Sequence, residues 1–336
     1  MNREARKGRE GTDGMAEARI PTVDLRVWTD GTADERTAIA RSVDEALGRA
    51  GFLLLTGHGA TERERAGIRA AARGFFALPE EVKQRYAVAV GGRGWLGPGT
   101  EANGYAEGTE TPPDLKESWT VGADRATGDE ELDGFWFLPN VWPTAEAPRL
   151  QGLVEAHMAR MRTVADETLR LLAAALGQPG DFFTRHTGAP TYTCNINWYP
   201  SAGTLGEALP GQYRIGPHTD FGTVTLLDRQ QGRGGLQIWT EEQGWADAPW
   251  DSAALTVNIG DLMARWTGDR WRSGRHRVLP PSPEAPEEEL MSLVYFYECD
   301  PHTLVSPLPA PIGRVAHPPV DSTAYLRAKL DAITVD

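Results

Sequence analysis

Cysteine is scarce in this chain. Only Cys194 and Cys299 occur among 336 residues, and their spacing matches neither a zinc knuckle nor a redox pair. A disulfide scaffold and a cysteine-based zinc module are therefore excluded as the basis of the fold. Low cysteine usage favours a reducing, cytoplasmic setting.

Long apolar runs are also missing. The longest, such as residues 52–55, fall far short of the roughly 20 residues that a membrane helix needs. Residues 1–18 mix basic and acidic side chains with glycine and contain no apolar core, so they resemble neither a secretion signal nor an anchor. We predict that they form a flexible tail.

Positive charge is in deficit. Asp and Glu outnumber Lys and Arg by 47 to 34, which gives a formal net charge of −13. Such a field repels nucleic acid and anionic membranes, so we expect neither as a partner. A small-molecule substrate fits better, with the protein acting as a monomer or a weak homo-oligomer.

The chain does contain enough hydrophobic residues for a packed core: they make up 40% of the sequence, and 11 residues are Trp. Capping-box patterns at 32–35 and 61–64 predict two early helices, with a buried strand at 52–56 between them. An apolar stripe from Leu150 to Leu176 predicts the longest helix. Residues 91–133, rich in Gly, Pro and Thr, read as a loop that borders a pocket.

After Pro190 the sequence pattern changes to short strand-like runs, which continue to Ser306 and are typical of a jelly roll. A last helix is predicted near 324–333. The expected division is a tail at 1–18, an N-terminal helical α+β region at 19–189, a β core at 190–306 and a C-terminal helical segment at 307–336. The fold class is therefore α+β.

A metal site is the strongest functional signal. In a strand, residues two apart point to the same face. His218 and Asp220 of Gly-Pro-His-Thr-Asp-Phe-Gly can therefore coordinate one ion. The natural third ligand is His276, in Arg-His-Arg-Val. Two imidazoles and one carboxylate with open positions form the facial triad of non-haem iron(II) oxygenases. The other histidines lack this context; His58 fits a turn, and His157 lies on the long helix.

Alternation along residues 192–199 predicts a second element of the site. Thr193, Asn195, Asn197 and Tyr199 fall on one face, and this polar face suits a cavity.

The whole pattern from residue 20 to the C-terminus resembles the isopenicillin N synthase-like family of iron(II)- and 2-oxoglutarate-dependent dioxygenases. The matching pieces, in order, are IPTVDL, GFLLLTGHG, FFALPEEVK, DLKESWTVG, NVWP, NINWYP, HTDFGTVTLL, GGLQIW, NIGDLMARWTGDRWRSGRHRV and MSLVYFYECD. The resemblance implies a distorted double-stranded β-helix core wrapped by N-terminal and C-terminal helices. It also implies Fe(II) held by His218, Asp220 and His276, with 2-oxoglutarate and O2 as co-substrates. The implied activity is the hydroxylation, desaturation or cyclisation of a small molecule in specialised or antibiotic metabolism.

The resemblance also assigns a 2-oxoglutarate site. Asn197 and Tyr199 match an Asn-x-Tyr motif whose tyrosine helps to hold the distal carboxylate. Ser292 matches the serine of an Arg-x-Ser motif, but Leu290 stands where the family has the arginine. Leucine cannot pair with a carboxylate, and a buried carboxylate needs a cation or several donors.

Three consequences of Leu290 stay open at this point. In the first, another cation, such as Arg214, Arg265 or Arg272, reaches the same volume. In the second, the enzyme is an iron oxidase or cyclase that does not use 2-oxoglutarate, as in isopenicillin N synthase. In the third, the protein binds metal and ligand without turnover. As aromatic walls of the cavity we expect Trp95, Tyr105, Trp119 and Trp239.

Overall fold

A computed structural model gives the structure of this protein, and it describes residues 16–104, 108, 111–205 and 208–331. Within these residues the helices are α1 Leu25–Asp30, α2 Ala33–Arg49, α3 Glu62–Phe76, α4 Glu80–Lys83, α5 Glu130–Asp133, α6 Leu150–Ala175, α7 Ala202–Leu205, α8 Asp261–Trp266 and α9 Ser322–Asp331. The strands are β1 Thr22–Asp24, β2 Phe52–Thr56, β3 Gly94–Leu96, β4 Glu117–Gly122, β5 Tyr192–Tyr199, β6 Ile215–His218, β7 Val224–Arg229, β8 Leu236–Thr240, β9 Gly244–Asp247, β10 Leu255–Ile259, β11 His276–Val278, β12 Leu290–Tyr297, β13 Leu304–Val305 and β14 Val320–Asp321.

Two sheets form the centre of the fold. The major sheet has the order β1-β2-β10-β7-β12-β5-β4-β3, and the minor sheet has the order β6-β11-β8-β9. Strand β12 is antiparallel to both β5 and β7, so it lies near the middle of the major sheet. The predicted α+β fold with a jelly-roll core and helices around it is confirmed.

The early helices begin where their capping residues predict. Thr32 and Glu35 form a complete capping box on α2, and Thr61 and Glu64 form one on α3. Each box satisfies backbone N–H groups that the first helical turn leaves without partners. The predicted strand at 52–56 is β2, and the predicted long helix is α6, which ends before Gly177 at a positive φ of 65°.

Helices cover one face of the major sheet. Helix α6 contacts β7 and β12, while α2 and α3 pack on α6. Alternate side chains of β12, including Leu293 and Tyr295, point into the apolar core between these layers. A smaller apolar cluster that includes Tyr199, Ile238 and Leu290 lies on the sheets' other side. The faces of β5 and β12 that turn away from the helices are therefore available to build a site.

Two expectations about chain segments need correction. The segment 91–133, predicted as loop, contributes β3 and the fully buried β4 to the major sheet, because β4 pairs along its length with β5. Of the predicted tail at 1–18, residues 1–15 lie outside the described part of the chain. Beyond them, Glu17 pairs with Asp247 in a β-bridge and Ala18 is buried, so the chain is already packed there.

The final helix α9 spans residues 322–331, close to the predicted 324–333, whose last two residues lie outside the described part. Among the described helices, none combines the length and the apolar character that crossing a bilayer requires.

Candidate active site

Sheet pairing brings the three predicted metal ligands together. His218 is the last residue of β6, Asp220 follows two residues later, and His276 is the first residue of β11. Strands β6 and β11 are antiparallel neighbours in which His276 lies directly opposite His218. Residues 58 positions apart in sequence thus become adjacent, with ring centroids 4.1 Å apart.

The donor atoms converge on one point. The Nε2 atoms of His218 and His276 lie 3.8 and 3.9 Å from Oδ1 of Asp220. One ligand atom from each residue lies within 4.8 Å of the others, and all three side chains are largely buried. The three donor atoms therefore surround one position, and a single metal ion there would be close to all of them. The donor set, two nitrogens and one oxygen, suits non-haem iron(II).

The atoms that do not face the metal position are held by neighbours. Nδ1 of His218 lies 2.8 Å from the Gly216 carbonyl, and Nδ1 of His276 lies 2.9 Å from the Gly274 carbonyl. A carbonyl can only accept, so each Nδ1–H donates to it, and Nε2 is the ring nitrogen turned toward the metal position.

The carboxylate is oriented in the same way. Oδ2 of Asp220 accepts hydrogen bonds of 2.6 Å from both Thr225 Oγ1 and Asn258 Nδ2, which leaves Oδ1 for the metal position. Burial by itself would raise the pKa of Asp220. The two neighbouring histidines and these hydrogen bonds outweigh burial and keep the pKa below its ordinary value, so the carboxylate is ionised.

Two cavities meet at the triad. The small cavity, about 70 Å³, lies between the sheets and is lined by residues that include Tyr199, Arg229, Leu290 and Ser292. The large cavity, about 210 Å³, is lined by parts of the 91–116 segment and by inward residues of β5. His218, Asp220, Asn197, Ile215 and Phe296 line both. A ligand in either cavity therefore reaches the same metal position.

The polar face of β5 lines the cavities, as its alternation predicts. Thr193, Asn195 and Asn197 line the large cavity, and Asn197 and Tyr199 line the small one. The Tyr199 hydroxyl lies 3.1 Å from Ser292 Oγ, and both residues are buried. Asn197 is held from behind, because its Oδ1 accepts from Ser118 Oγ at 2.8 Å.

Leu290 also faces the small cavity, but the three arginines expected to compensate for it do not line it. Arg214 is fully buried and is occupied by Glu288, with its Nη1 3.0 Å from Oε1. Arg265 donates to the Pro318 carbonyl, and Arg272 pairs with Glu241 at the surface. No local pattern in the chain indicates where these strands and loops direct their side chains.

The cation that does line the small cavity is Arg229, at the end of β7. Its Nη2 donates to the carbonyls of Ala248 and Pro249 at 2.8 and 2.7 Å. Sequence reasoning missed this residue. The available signal was its alternation with Thr225 and Leu227, which places all three on the inward face of one strand.

The expected aromatic walls are largely wrong. Trp95 and Trp119 pair across β3 and β4 and are buried in the core under the helices, and Trp239 packs on Trp245 at the surface. Tyr105 lies outside the described residues. The aromatic residues that do line the large cavity are Phe135, Trp136, Tyr192, Phe221 and Phe296. Burial alone does not distinguish a core tryptophan from one that lines a cavity.

Two buried polar atoms and one buried carboxyl group belong to residues that line the large cavity. Among the residues that the structure describes, Thr120 Oγ1 and Asn195 Oδ1 are buried without a hydrogen bond, and these two residues are opposite each other in β4 and β5. Glu298 Oε2 accepts from the Thr223 backbone N–H at 2.8 Å, and burial raises the pKa of Glu298 to about 8. Buried polar atoms are nearly always hydrogen-bonded, so these groups are suited to a polar ligand.

The remaining histidines of interest have structural roles. Nδ1 of His58 accepts from the Ala60 backbone N–H at 3.2 Å, which agrees with turn chemistry. His157 is buried on α6, and burial lowers its pKa to about 4.

Comparison with known proteins agrees with this geometry. Residues 20–145 match the family model described as non-haem dioxygenase in morphine synthesis N-terminal, and residues 191–298 match the 2OG-Fe(II) oxygenase superfamily. The fold and the site thus define a non-haem iron oxygenase.

Individual relatives make the family explicit. Validamycin A dioxygenase of Streptomyces hygroscopicus subsp. limoneus is 46% identical over 295 residues, covering 88% of this chain and 80% of that protein. The 2-oxoglutarate-dependent dioxygenase tropC of Talaromyces stipitatus is 30% identical over 332 residues, covering 92% and 98%. This chain belongs to the iron(II)- and 2-oxoglutarate-dependent dioxygenase family; it is an oxidoreductase with Fe(II), 2-oxoglutarate and O2 as its cofactor and co-substrates.

Solved structures show the same fold. A full-length Neurospora crassa protein in complex with alpha-KG and thymine aligns with a TM-score of 0.80 and 25% identity, covering 96% of this chain and 98% of that one. A 2OG-Fe(II) oxygenase family protein from Caulobacter crescentus aligns with a TM-score of 0.78 and 26% identity, covering 93% and 98%.

Proposed function

We propose that His218, Asp220 and His276 hold the iron and that this dioxygenase oxidises a small, hydrogen-bonding molecule of specialised metabolism. The observation that carries the proposal is the position of the three donor atoms, within 4.8 Å of one another at the junction of two cavities. One cavity would take 2-oxoglutarate and the other the substrate. Asn197, Tyr199 and Ser292 would contact the co-substrate.

The protein's own contribution is positioning. Bound iron with 2-oxoglutarate and O2 supplies the oxidising power, which in a hydroxylation converts 2-oxoglutarate, O2 and a substrate C–H into succinate, CO2 and C–OH. The carbonyls of Gly216 and Gly274 fix the imidazole orientations, and Thr225 with Asn258 fixes the carboxylate. Burial between the sheets keeps bulk water away from the reacting atoms.

The substrate class follows from the large cavity. Thr120 and Asn195 offer a hydroxyl and an amide oxygen that need polar partners, and Glu298 adds a buried carboxyl group. Phe135, Trp136 and Phe221 supply apolar walls on which a ring or chain can pack. A compound with several hydroxyl or amino groups suits this lining. Validamycin A is the first substrate to test, because it is named in a relative that is 46% identical.

The first prediction tests the iron ligands and the reaction together. Purified protein with Fe(II), 2-oxoglutarate and validamycin A should consume O2 and release succinate in step with product formation. His276→Ala should abolish this turnover and iron retention, while its circular dichroism spectrum stays that of wild type. His302→Ala, a change at a largely exposed histidine, serves as the matched control. Unchanged O2 consumption in the His276 variant would refute the ligand assignment.

The same assay separates the alternatives. Turnover with iron, O2 and substrate but no 2-oxoglutarate would indicate an oxidase or cyclase of the isopenicillin N synthase kind. Ligand binding without O2 uptake would indicate a non-catalytic binding protein. The relatives named as 2-oxoglutarate-dependent dioxygenases favour the co-substrate-dependent reaction over both.

We also propose that the enzyme works in the cytoplasm as a monomer or weak homo-oligomer, without nucleic-acid or membrane partners. Two free, buried cysteines and a net charge of −13 support this setting. Residues 190–306 would form the iron-binding core, covered by 19–189 and 307–336. Size-exclusion chromatography with light scattering measures the oligomeric state directly.

A further inference from the structure

The small cavity has lost the arginine that the family's Arg-x-Ser motif supplies, yet it contains a guanidinium from another strand. Leu290, at the motif position on β12, lines the cavity with its hydrocarbon side chain. Ser292, two residues further, still contacts Tyr199 through their hydroxyls at 3.1 Å. Two of the three groups expected around a distal carboxylate are thus present, and only the cation is missing from β12.

Arg229 approaches the same volume from β7. Strands β7 and β12 are antiparallel neighbours in which Arg229 lies directly opposite Ser292. Partners in such a pair have Cα atoms roughly 4.5–5.5 Å apart. Arg229 shares the inward face of β7 with Leu227 and with Thr225, which contacts Asp220. Its side chain therefore starts one strand away from Ser292 and on the cavity side of the sheet.

The guanidinium is held in place but its charge is not paired. Nη2 is fixed by the carbonyls of Ala248 and Pro249, and Nε lies 3.4 Å from Thr256 Oγ1. Within residues 16–104, 108, 111–205 and 208–331, no carboxylate forms an ion pair with Arg229, and no hydrogen bond involves its Nη1. Of the described residues lining this cavity, it is the one arginine or lysine.

A buried cation of this kind requires explanation. Burial lowers the pKa of Arg229 to about 10, against the weaker opposing effect of Asp247 and Glu17, so it remains protonated at neutral pH. An unpaired charge in a poorly solvated site is costly, and an anionic ligand removes most of that cost. The buried Arg214, in contrast, already has an acidic partner in Glu288.

We propose that Arg229 binds the distal carboxylate of 2-oxoglutarate, taking over from β7 the contact that the family makes from the position of Leu290. Tyr199 and Ser292 complete the carboxylate site with their hydroxyls. The proposal rests on the proposed function, since it requires iron at the triad and 2-oxoglutarate beside it. With the arginine on β7 instead of β12, the enzyme still binds 2-oxoglutarate. Only the strand that supplies the arginine differs from the family pattern.

The test compares two ligands that differ only in the distal carboxylate. Iron-loaded protein is titrated under anaerobic conditions, by calorimetry, with 2-oxoglutarate and with 2-oxopentanoate, which keeps the keto acid but lacks the second carboxylate. Wild type should bind 2-oxoglutarate about 30-fold or more tightly than 2-oxopentanoate, as expected for a buried, hydrogen-bonded charge pair. Equal affinities in wild type would overturn the proposal.

Variants locate the contact. R229L and R229Q should bind 2-oxoglutarate more weakly and 2-oxopentanoate as wild type does, so that most of the affinity ratio is lost. R229K should retain part of the ratio. The double variant R229L/L290R restores a guanidinium at the family position and should recover a large part of the ratio. R272L, which removes a surface arginine paired with Glu241, is the matched control and should bind as wild type does.

The outcomes distinguish this proposal from the one it rests on. Iron content, measured on each sample before titration, reports on the triad independently of Arg229. Protein that retains no iron even as wild type would refute the proposed function. Iron-loaded R229L and R229Q with an unchanged affinity ratio would refute the role of Arg229, and a double variant as weak as R229L would refute the replacement of position 290.

Discussion

At the scale of single residues, the site depends on how each ligand is oriented. Oδ2 of Asp220 accepts hydrogen bonds from Thr225 and Asn258, and Oδ1 is left for the proposed metal. Each histidine ring is oriented by a hydrogen bond between its Nδ1 and a carbonyl two residues earlier in the sequence. The triad is therefore preorganised by short-range contacts.

A second prediction concerns this orientation. Asn258→Ala removes a 2.6 Å donor to Asp220 Oδ2 and should weaken Fe(II) binding by about 10- to 100-fold, because partners of metal ligands typically contribute that much. Competition with a chromogenic chelator measures the affinity. Asn140→Ala, at an asparagine bonded to the Gly122 backbone, should leave it unchanged. Equal iron affinity in the two variants would contradict the role given to Asn258.

At the scale of elements, helix α3 is attached to the major sheet by a buried charge cluster. Arg65 Nη1 lies 2.7 Å from Asp228 Oδ1, and Arg69 pairs with the other oxygen. Asp228 is on β7, next to Arg229 but on the opposite face of the strand. One strand thus contributes an acid to the helix layer and a cation to the small cavity.

The third prediction follows from that cluster. Asp228→Asn removes the buried carboxylate that both guanidinium groups share and leaves Arg65 only its pair with the exposed Glu62. It should lower the free energy of unfolding by roughly 3–5 kcal/mol. Urea denaturation measures the change. Glu284→Gln, which breaks an exposed pair with Arg233, should cost under about 1 kcal/mol. A loss in Asp228→Asn as small as the loss in Glu284→Gln would show that the cluster does not stabilise the fold.

The fourth prediction concerns helix α6 and pH. Burial lowers the pKa of His157 to about 4, below the roughly 6.5 of an unfolded histidine. The unfolded state therefore binds the proton first, so stability is complete above pH 6.5 and declines as pH falls toward 4. Between pH 7.5 and 5 the decline should be roughly 2 kcal/mol. His157→Gln should remove that part of the slope in urea titrations; equal slopes would contradict it.

At the scale of the whole molecule, the site joins distant parts of the chain. Strands β6 and β11 of the minor sheet carry the histidines, while β5, β7 and β12 of the major sheet carry the lining of the small cavity. A ligand that touches both sheets stabilises the native state alone, because the unfolded chain has no such site.

The fifth prediction uses this linkage. At 100 times its Kd, 2-oxoglutarate should add about 2.7 kcal/mol to the stability of the iron-loaded protein, and calorimetry should show a melting temperature a few degrees higher. His276→Ala should lose the increment. A similar rise in that variant would place 2-oxoglutarate away from the triad.

Much of this could be read from the sequence, because the relevant signals are local. The caps at Thr32 and Thr61, the apolar stripe of α6 and the alternation along β5 each depend on neighbours within a few residues. The His-x-Asp pair is local too. The third candidate ligand, His276, was predicted from the motif around it and from the resemblance, and strand pairing brings it opposite His218.

The sequence by itself determined the elements, their polar and apolar faces and the chemical identity of the candidate ligands. Only the tertiary structure decided which arginine lines the small cavity beside Leu290 and which aromatic side chains border a cavity. The reason is that strand order in a sheet depends on contacts between segments far apart in the chain. No local pattern shows that Arg229 lies opposite Ser292, or that Trp119 faces the helices.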